Sequence, residues 1–232
     1  MKGEIIVNHV HLETPLSINE QSPQLLIIEN PAEFYSVICD LNNQFEGVTG
    51  SFAFSRDGQA LSPEKSGTMV TNIFNLDLND KKILNLLYKR LESIALSENV
   101  SLFNELNAKT ISFIAELSYN VPFALDYEEL QPIDYFKAAS VSLEKAYESL
   151  EEKIVCYINA LIELKKCEFF VFVNLKSVLN DEKLALIYSH CQKEQVGLLL
   201  LESSKARPLI NNERAIIITD DLCEIVENHN LL

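Results

Sequence analysis

Four short, unbroken apolar runs limit what this chain can fold into more than anything else in it. They are Leu25 to Ile28, Phe169 to Val173, Leu198 to Leu201 and Ile216 to Ile218. Runs of this length without polar alternation are characteristic of strands buried on both faces, and such strands belong to parallel sheets covered by helices. The predicted fold class is α/β with a parallel-rich sheet and flanking helices. Between the second and third runs, Asn180 and Asp181 can cap a helix whose apolar positions Leu184, Ile187 and Tyr188 recur at helical spacing, which makes one βαβ unit. The first run leads through Asn30-Pro31 into a helical segment carrying Phe34, Ile38, Leu41 and Phe45, with Gly47 beyond its end.

The middle of the chain differs in kind. From Asn79 to Lys165 the pattern is helical almost throughout: Ile83, Leu87, Leu91 and Ile94, then Phe103, Leu106, Ile111, Ile114 and Leu117. A third segment, with Leu143, Tyr147, Leu150, Ile154, Ile158 and Leu161, alternates steps of four and three like a coiled-coil seam. It predicts a helix of about 23 residues, roughly 35 Å long at 1.5 Å per residue. The economical organisation is an α/β head from 1–78 and 166–232 with a long-helix arm, 79–165, inserted into it. The arm is expected to bend at Ser97 to Ser101 and at Pro122 to Pro132.

Charge and cysteine usage narrow the function classes. The 34 acids against 19 bases give a formal net charge of -15, so an evenly charged surface would repel nucleic acid and anionic membrane. Polyanion binding requires the bases to be segregated or a divalent cation to neutralise acids. No apolar run reaches the roughly 18 residues a membrane span needs. Met1-Lys2-Gly3-Glu4 is followed by only three apolar residues, too few for a signal peptide, so a cytoplasmic protein is expected. The odd count of five cysteines (Cys39, Cys156, Cys167, Cys191, Cys223), with no C-x-x-C spacing, reads as buried free thiols.

Three constellations could carry chemistry. Glu29, Asn174, Glu202, Asp220 and Asp221 follow the apolar runs directly, where ligands bind in open parallel sheets. A divergent nucleotide hydrolase could use Glu29 and Asp220 around magnesium. The turn after Ile28 nevertheless reads Glu29-Asn30-Pro31-Ala32, which offers neither the bare amides nor the lysine of a phosphate loop. Asp126, Glu128, Glu129 and Asp134 crowd a segment between Pro122 and Pro132; they read as hard-oxygen ligands for calcium or as a solvated acidic turn, and no glycine stands where an EF-hand loop would turn. Among the bases, Arg56, Lys65, Lys109, Lys137 and Lys145 come from the arm or the loop before it, and Lys81, Lys82, Lys89 and Arg90 crowd the start of its first helix. Each reads as part of a solvated face or as a phosphate contact. No zinc finger, stacking platform or helix-turn-helix signature points to base readout. His9 and His11 share a face of an expected N-terminal strand, His190 ends a helix and His229 lies in the tail; all four read as structural or exposed. A structural adaptor acting through its acidic surface is the third class.

The order and spacing of several segments add to this. Gln24-Leu-Leu-Ile-Ile-Glu-Asn30 before a helix, a Met69 to Asn79 strand, Ala124-Leu-Asp-Tyr-Glu-Glu129, Phe169-Phe-Val-Phe-Val-Asn174, Leu179-Asn-Asp-Glu-Lys183 and Gly197-Leu-Leu-Leu-Leu-Glu202 together resemble one family, and the likeness covers nearly the whole chain. It is the small adaptation protein family specific to type II-A CRISPR loci. The resemblance implies a degenerate P-loop ATPase-like head, a helical leg, and a homotetrameric ring that threads double-stranded DNA ends through a basic hole. It also implies structural calcium ions and a non-enzymatic role in spacer acquisition beside the integrase subunits and the RNA-guided effector nuclease. In such a ring each base recurs around the lumen, which makes Arg56, Lys65, Lys109, Lys137 and Lys145 the expected DNA contacts. Asp126, Glu128, Glu129 and Asp134 become the expected calcium ligands. The family carries an acid where this chain has Ala124, so Glu116 or a backbone carbonyl would complete the set.

Overall fold

A computed structural model describes residues 3–145, 147–210 and 212–228. The chain forms two compact units, one from Met1–Leu76 with Tyr147–Leu232 and the other from Asp77–Ala146. The first begins with strands β1 (Ile5–Asn8), β2 (Leu16–Ile18) and β3 (Gln24–Ile28), helix α1 (Pro31–Phe45), β4 (Ala53–Arg56), β5 (Gln59–Ala60), the single turn α2 (Pro63–Ser66) and β6 (Gly67–Val70). The second contains α3 (Lys81–Ser97), α4 (Val100–Ser118) and α5 (Pro132–Ala138). The first resumes with α6 (Leu150–Lys165), β7 (Phe169–Val173), the short α7 (Leu175–Val178), α8 (Asp181–Lys193), β8 (Gly197–Glu202), β9 (Arg214–Ile218) and β10 (Glu224–Asn228).

The four apolar runs become β3, β7, β8 and β9, and they lie side by side in a six-stranded sheet of order β10-β9-β3-β8-β7-β6. Every pairing in it is parallel except β10 with β9. Successive side chains alternate faces, so each of these strands needs two covers. On one face Leu26, Ile28, Phe169, Val171, Leu199 and Ile216 pack against α1 and a four-stranded antiparallel sheet, β2-β1-β4-β5, through Ile5, Val7, Leu16 and Phe54. On the other, Leu25, Phe170, Phe172, Leu198 and Leu200 are fully buried, as are Ile154 and Ile158 of α6 and Leu184 and Ile187 of α8. The covers approach closely: a Cβ at Gly197 would sit 2.4 Å from Ile18 Cγ2. The helix starts follow the sequence signals. Asn30, Asp80, Ser149 and Asn180 each accept backbone N–H bonds as N-caps of α1, α3, α6 and α8, and Gly47 follows α1 at φ +87°.

Several expectations are corrected. The Met69 to Asn79 strand ends at Val70, because Asn72 caps a 3-10 turn over Ile73–Asn75 and Asp80 then opens α3. The expected 23-residue helix is the 16-residue α6; Ser149 stops it from extending back to Leu143, which instead hydrogen-bonds to Asn79 in the second unit. The buried residues of α6 belong to the first unit, so the second unit ends at 146 and the helix just before β7 is a sheet cover rather than part of the arm. Strand β1 stops at Asn8, and His9 and His11 lie in the turn after it. Two cysteines are buried, but Cys39 and Cys156 are half-buried and Cys223 is exposed. His229 lies outside the described residues. No helix among the described residues is long and apolar enough to cross a membrane.

The second unit buries Leu78, Ile83 and Tyr88 and carries polar ties between its elements. Tyr88 Oη donates to Val141 O at 2.9 Å, and Tyr135 Oη donates to Asn107 Oδ1 at 2.6 Å, fixing α5 to α4. Helix α4 has no buried residue, and Val100, Leu102, Leu106, Phe113 and Leu117 stand exposed on it.

This division makes Ile158 a test of the architecture. Its side chain is 0% exposed, so Ile158→Ala should cost about 2–5 kcal/mol of stability. Chemical denaturation followed by circular dichroism measures it, and a loss under about 0.5 kcal/mol, the level of a neutral surface change, would place α6 outside the sheet core.

Candidate functional site

The carboxyl ends of the central strands are the first candidate. The backbone N–H of Glu29 donates to Ile218 O at 2.9 Å, which extends the β3–β9 ladder. Asn30 Oδ1 accepts from the amides of Ala32 and Glu33 at 3.0 and 3.1 Å, and Asn30 Nδ2 donates to Asp220 O at 3.1 Å. Pro31 has no amide to give. The start of α1 is thus occupied by its own cap, and the side chains of Glu29 and Asp220 stand exposed beside it. Asn174 sits in the left-handed region at φ 54° and accepts from the amide of Ser203 at 3.0 Å. Asp221 accepts from the Thr219 hydroxyl, which holds its carboxyl below the usual range. These residues close loops; a phosphate cradle is not formed among them.

The acidic segment is the second candidate. After α4 the chain runs without regular structure to Gln131, and Asp126, Glu128 and Glu129 are exposed along it. Asp134 is the third residue of α5, and its Oδ2 accepts from the Gln131 amide at 2.9 Å in a capping box. Among the described residues no three His, Cys, Asp or Glu side chains come together in a way that could hold a metal ion. The four acids share a segment without being gathered, so as arranged they do not fit a calcium ion, which wants six to eight oxygens.

The five singled-out bases differ in their surroundings. Arg56, on β4, donates through Nη1 to Glu168 at 2.7 Å and through Nε to Gly3 O at 3.1 Å, and is half-buried. Lys109 pairs with Glu105 one turn earlier at 2.6 Å, and Lys145 with Asp77 at 3.1 Å. Both pairs are exposed and therefore worth little, so they can open for a phosphate. Lys65 on α2 and Lys137 on α5 are exposed.

The sequence reading missed a buried ionic cluster in the first unit. Lys176 Nζ lies 2.8 and 2.6 Å from the two oxygens of Glu213, Tyr188 Oη donates to Glu213 Oε1 at 2.6 Å, and the Lys176 amide donates to Glu202 Oε1 at 2.9 Å. Lys176, Glu202 and Glu213 are 6%, 2% and 0% exposed. Burial raises the Tyr188 phenol, with Glu213 adding to it, and pushes the Glu202 carboxyl up to about 7. No periodicity announces this cluster; the one signal was Glu202 itself, a carboxylate ending a fully apolar run. A smaller group lies at the turn after β1. There His9 stacks on Phe52, contacts Ser51 Oγ at 2.9 Å and accepts from the His11 amide through Nδ1, while His11 pairs with Glu33. Burial is the larger cause, and His11 the smaller, of the lowered His9 imidazole.

The pattern of the family described as "CRISPR-associated protein (Cas_Csn2)" matches residues 44–222. A CRISPR-associated protein Csn2 from Enterococcus faecalis is 24% identical over 199 residues, covering 84% of this chain and 89% of the relative. Another from Streptococcus agalactiae is 26% identical over 200 residues, covering 85% and 89%. Among solved structures, the chain is similar to a nucleotide-free ATP-binding cassette from an ABC transporter, with a TM-score of 0.47 and 11% identity over 95% of this chain and 88% of that one. The ADP conformation of another such cassette gives a TM-score of 0.46 and 12% identity over the same shares.

Proposed function

Because the chain belongs to the Csn2 family of CRISPR-associated proteins, we propose that it binds double-stranded DNA ends without sequence preference, as a homotetrameric ring and without catalysis, during spacer acquisition. The observation that carries this reading is α4. Leu102, Leu106, Phe113 and Leu117 follow one another at steps of four, seven and four along one exposed stripe of a 19-residue helix none of whose residues is buried. An exposed apolar stripe of that length is an assembly surface, and Lys109 lies within it. Assembly resolves the charge problem of a chain at -15, because repeating a few lysines around a lumen makes it positive while the exterior stays acidic. The partners of this reading are DNA ends, further copies of the chain, the integrase subunits and the effector nuclease. The alternative, a nucleotide hydrolase using Glu29 and Asp220, is less well supported because Asn30 and Pro31 occupy the helix start that a phosphate would need. Saturable ATP hydrolysis abolished by Glu29→Ala would reverse that order.

If phosphate contacts supply the affinity, log K should fall linearly with log salt at about -0.9 per neutralised phosphate. Lys65→Ala and Lys137→Ala should each flatten that slope by about 0.9 for every copy in the ring that touches a phosphate, up to about 3.6. Arg56→Ala should leave it nearly unchanged, since its guanidinium is engaged by Glu168 and Gly3. Gel-shift titrations across a salt series measure all three, and salt-independent binding would contradict the reading.

Calcium is proposed as the ion of the acidic segment. Binding would have to draw Asp126, Glu128, Glu129 and Asp134 together, and it would stabilise the protein by RT ln(1 + [Ca]/Kd), about 2.7 kcal/mol at a hundredfold excess over Kd. Chelator should lower the melting temperature and the oligomer mass, and Glu128→Gln with Asp134→Asn should remove that response. An unchanged mass and melting temperature in metal-free protein would leave the segment a solvated acidic turn.

A further inference from the structure

The β8–β9 connection, described over residues 203–210 and 212–213, returns repeatedly to the short helix after β7. The Ser203 amide donates to Asn174 Oδ1 at 3.0 Å. Arg207 Nη2 donates to the carbonyls of Lys176 and Leu179, and its Nη1 to Asp181 Oδ1 at 2.8 Å. The Ile210 amide donates to Glu213 Oε2 at 2.9 Å. Two buried carboxylates flank the connection, Glu202 just before it and Glu213 as its last residue, faced by Lys176 from α7, Tyr188 from α8 and Arg207 from the connection itself. The guanidinium of Arg207 is already offset by Asp181. That leaves one ammonium, Lys176, for two carboxylates, and Lys176 places Nζ on Glu213. A buried charge without a counter-charge is strongly disfavoured, and the group takes up a proton instead.

We propose that the β8–β9 connection is a proton-operated latch. With Glu202 neutral, the Lys176–Glu213 pair is balanced and the connection stays closed; ionisation of Glu202 adds an uncompensated buried carboxylate and favours opening, which returns Glu202 to water. The sign follows from the direction of the shift. A carboxyl raised from 4.5 to about 7 by burial binds its proton more tightly in the closed form. Its stabilising effect is complete below the ordinary carboxylate value and is lost as pH rises through about 7.

Hydrogen exchange of the full chain between pH 5 and 8.5, corrected for intrinsic base catalysis, tests this. In the wild type the amides of Lys176, Ser203 and Ile210 should lose protection as pH rises from the ordinary carboxylate value of 4.5 to about 7, by up to about tenfold per pH unit for a single proton, and level off above it, while amides of β3 stay flat. Glu202→Gln should keep those amides protected at every pH. Glu213→Gln leaves Lys176 to Glu202 alone, so the loss should level off at a lower pH and reach a smaller total. Wild-type protection that does not change across the range overturns the latch without need of any variant. A pH dependence that survives Glu202→Gln, or a levelling-off point unmoved in Glu213→Gln, overturns it as well.

Discussion

A parallel sheet has to be covered on both faces, and in this chain the two covers come from opposite sides of an inserted helical unit. Strands β1, β2 and β4 and helix α1, all N-terminal to the insertion, cover one face; α6 and α8, both C-terminal to it, cover the other. The sheet is interleaved in the same way, since β3 and β6 precede the insertion and β7, β8 and β9 follow it. Asp77–Ala146 is therefore joined through both of its chain ends to the first unit, with β6 before it in sequence and α6 after. Every strand in the middle of the sheet is shut off from solvent, which leaves polar chemistry to strand ends, connections and the inserted unit.

The strands that carry the sheet were legible because their burial leaves no room for polar alternation. Phe169 to Val173 and Gly197 to Glu202 could be read directly, and so could the caps Asn30 and Asn180, whose side chains bond where their type predicts. The antiparallel sheet was not legible: β1, β2, β4 and β5 have two to four residues each, too short for a period to show. The long third helix was over-read because a step of four and three continues through Leu143 and Tyr147, residues that a helix stopped by Ser149 never includes. Periodicity reports which residues would share a face in a helix and is blind to a cap that prevents one.

The candidate sites divide along the same line. Spacing in sequence found the acidic segment, yet proximity along an irregular stretch does not gather ligands, and a capping box already engages Asp134. The Lys176–Glu213–Glu202 cluster was invisible for the opposite reason, since its members are 11 to 37 positions apart and meet because β7, β8, β3 and β9 are neighbours in one sheet. The five bases have unequal surroundings: Arg56 serves the fold through Glu168, while Lys65 and Lys137 present exposed ammonium groups. On the proposed reading, an acidic chain gains positive potential for DNA by assembly, and the apolar stripe of α4 is the feature suited to that.

The central claim is a closed ring that loads over DNA ends, and the most direct measurement compares linear duplex with relaxed, covalently closed circles of the same sequence at one salt concentration. The account predicts retention of the linear form and none of the circle, with binding to the circle restored by a single double-strand cut. Equal affinity for circles and linear DNA would contradict threading and leave an open oligomer gripping the duplex from outside.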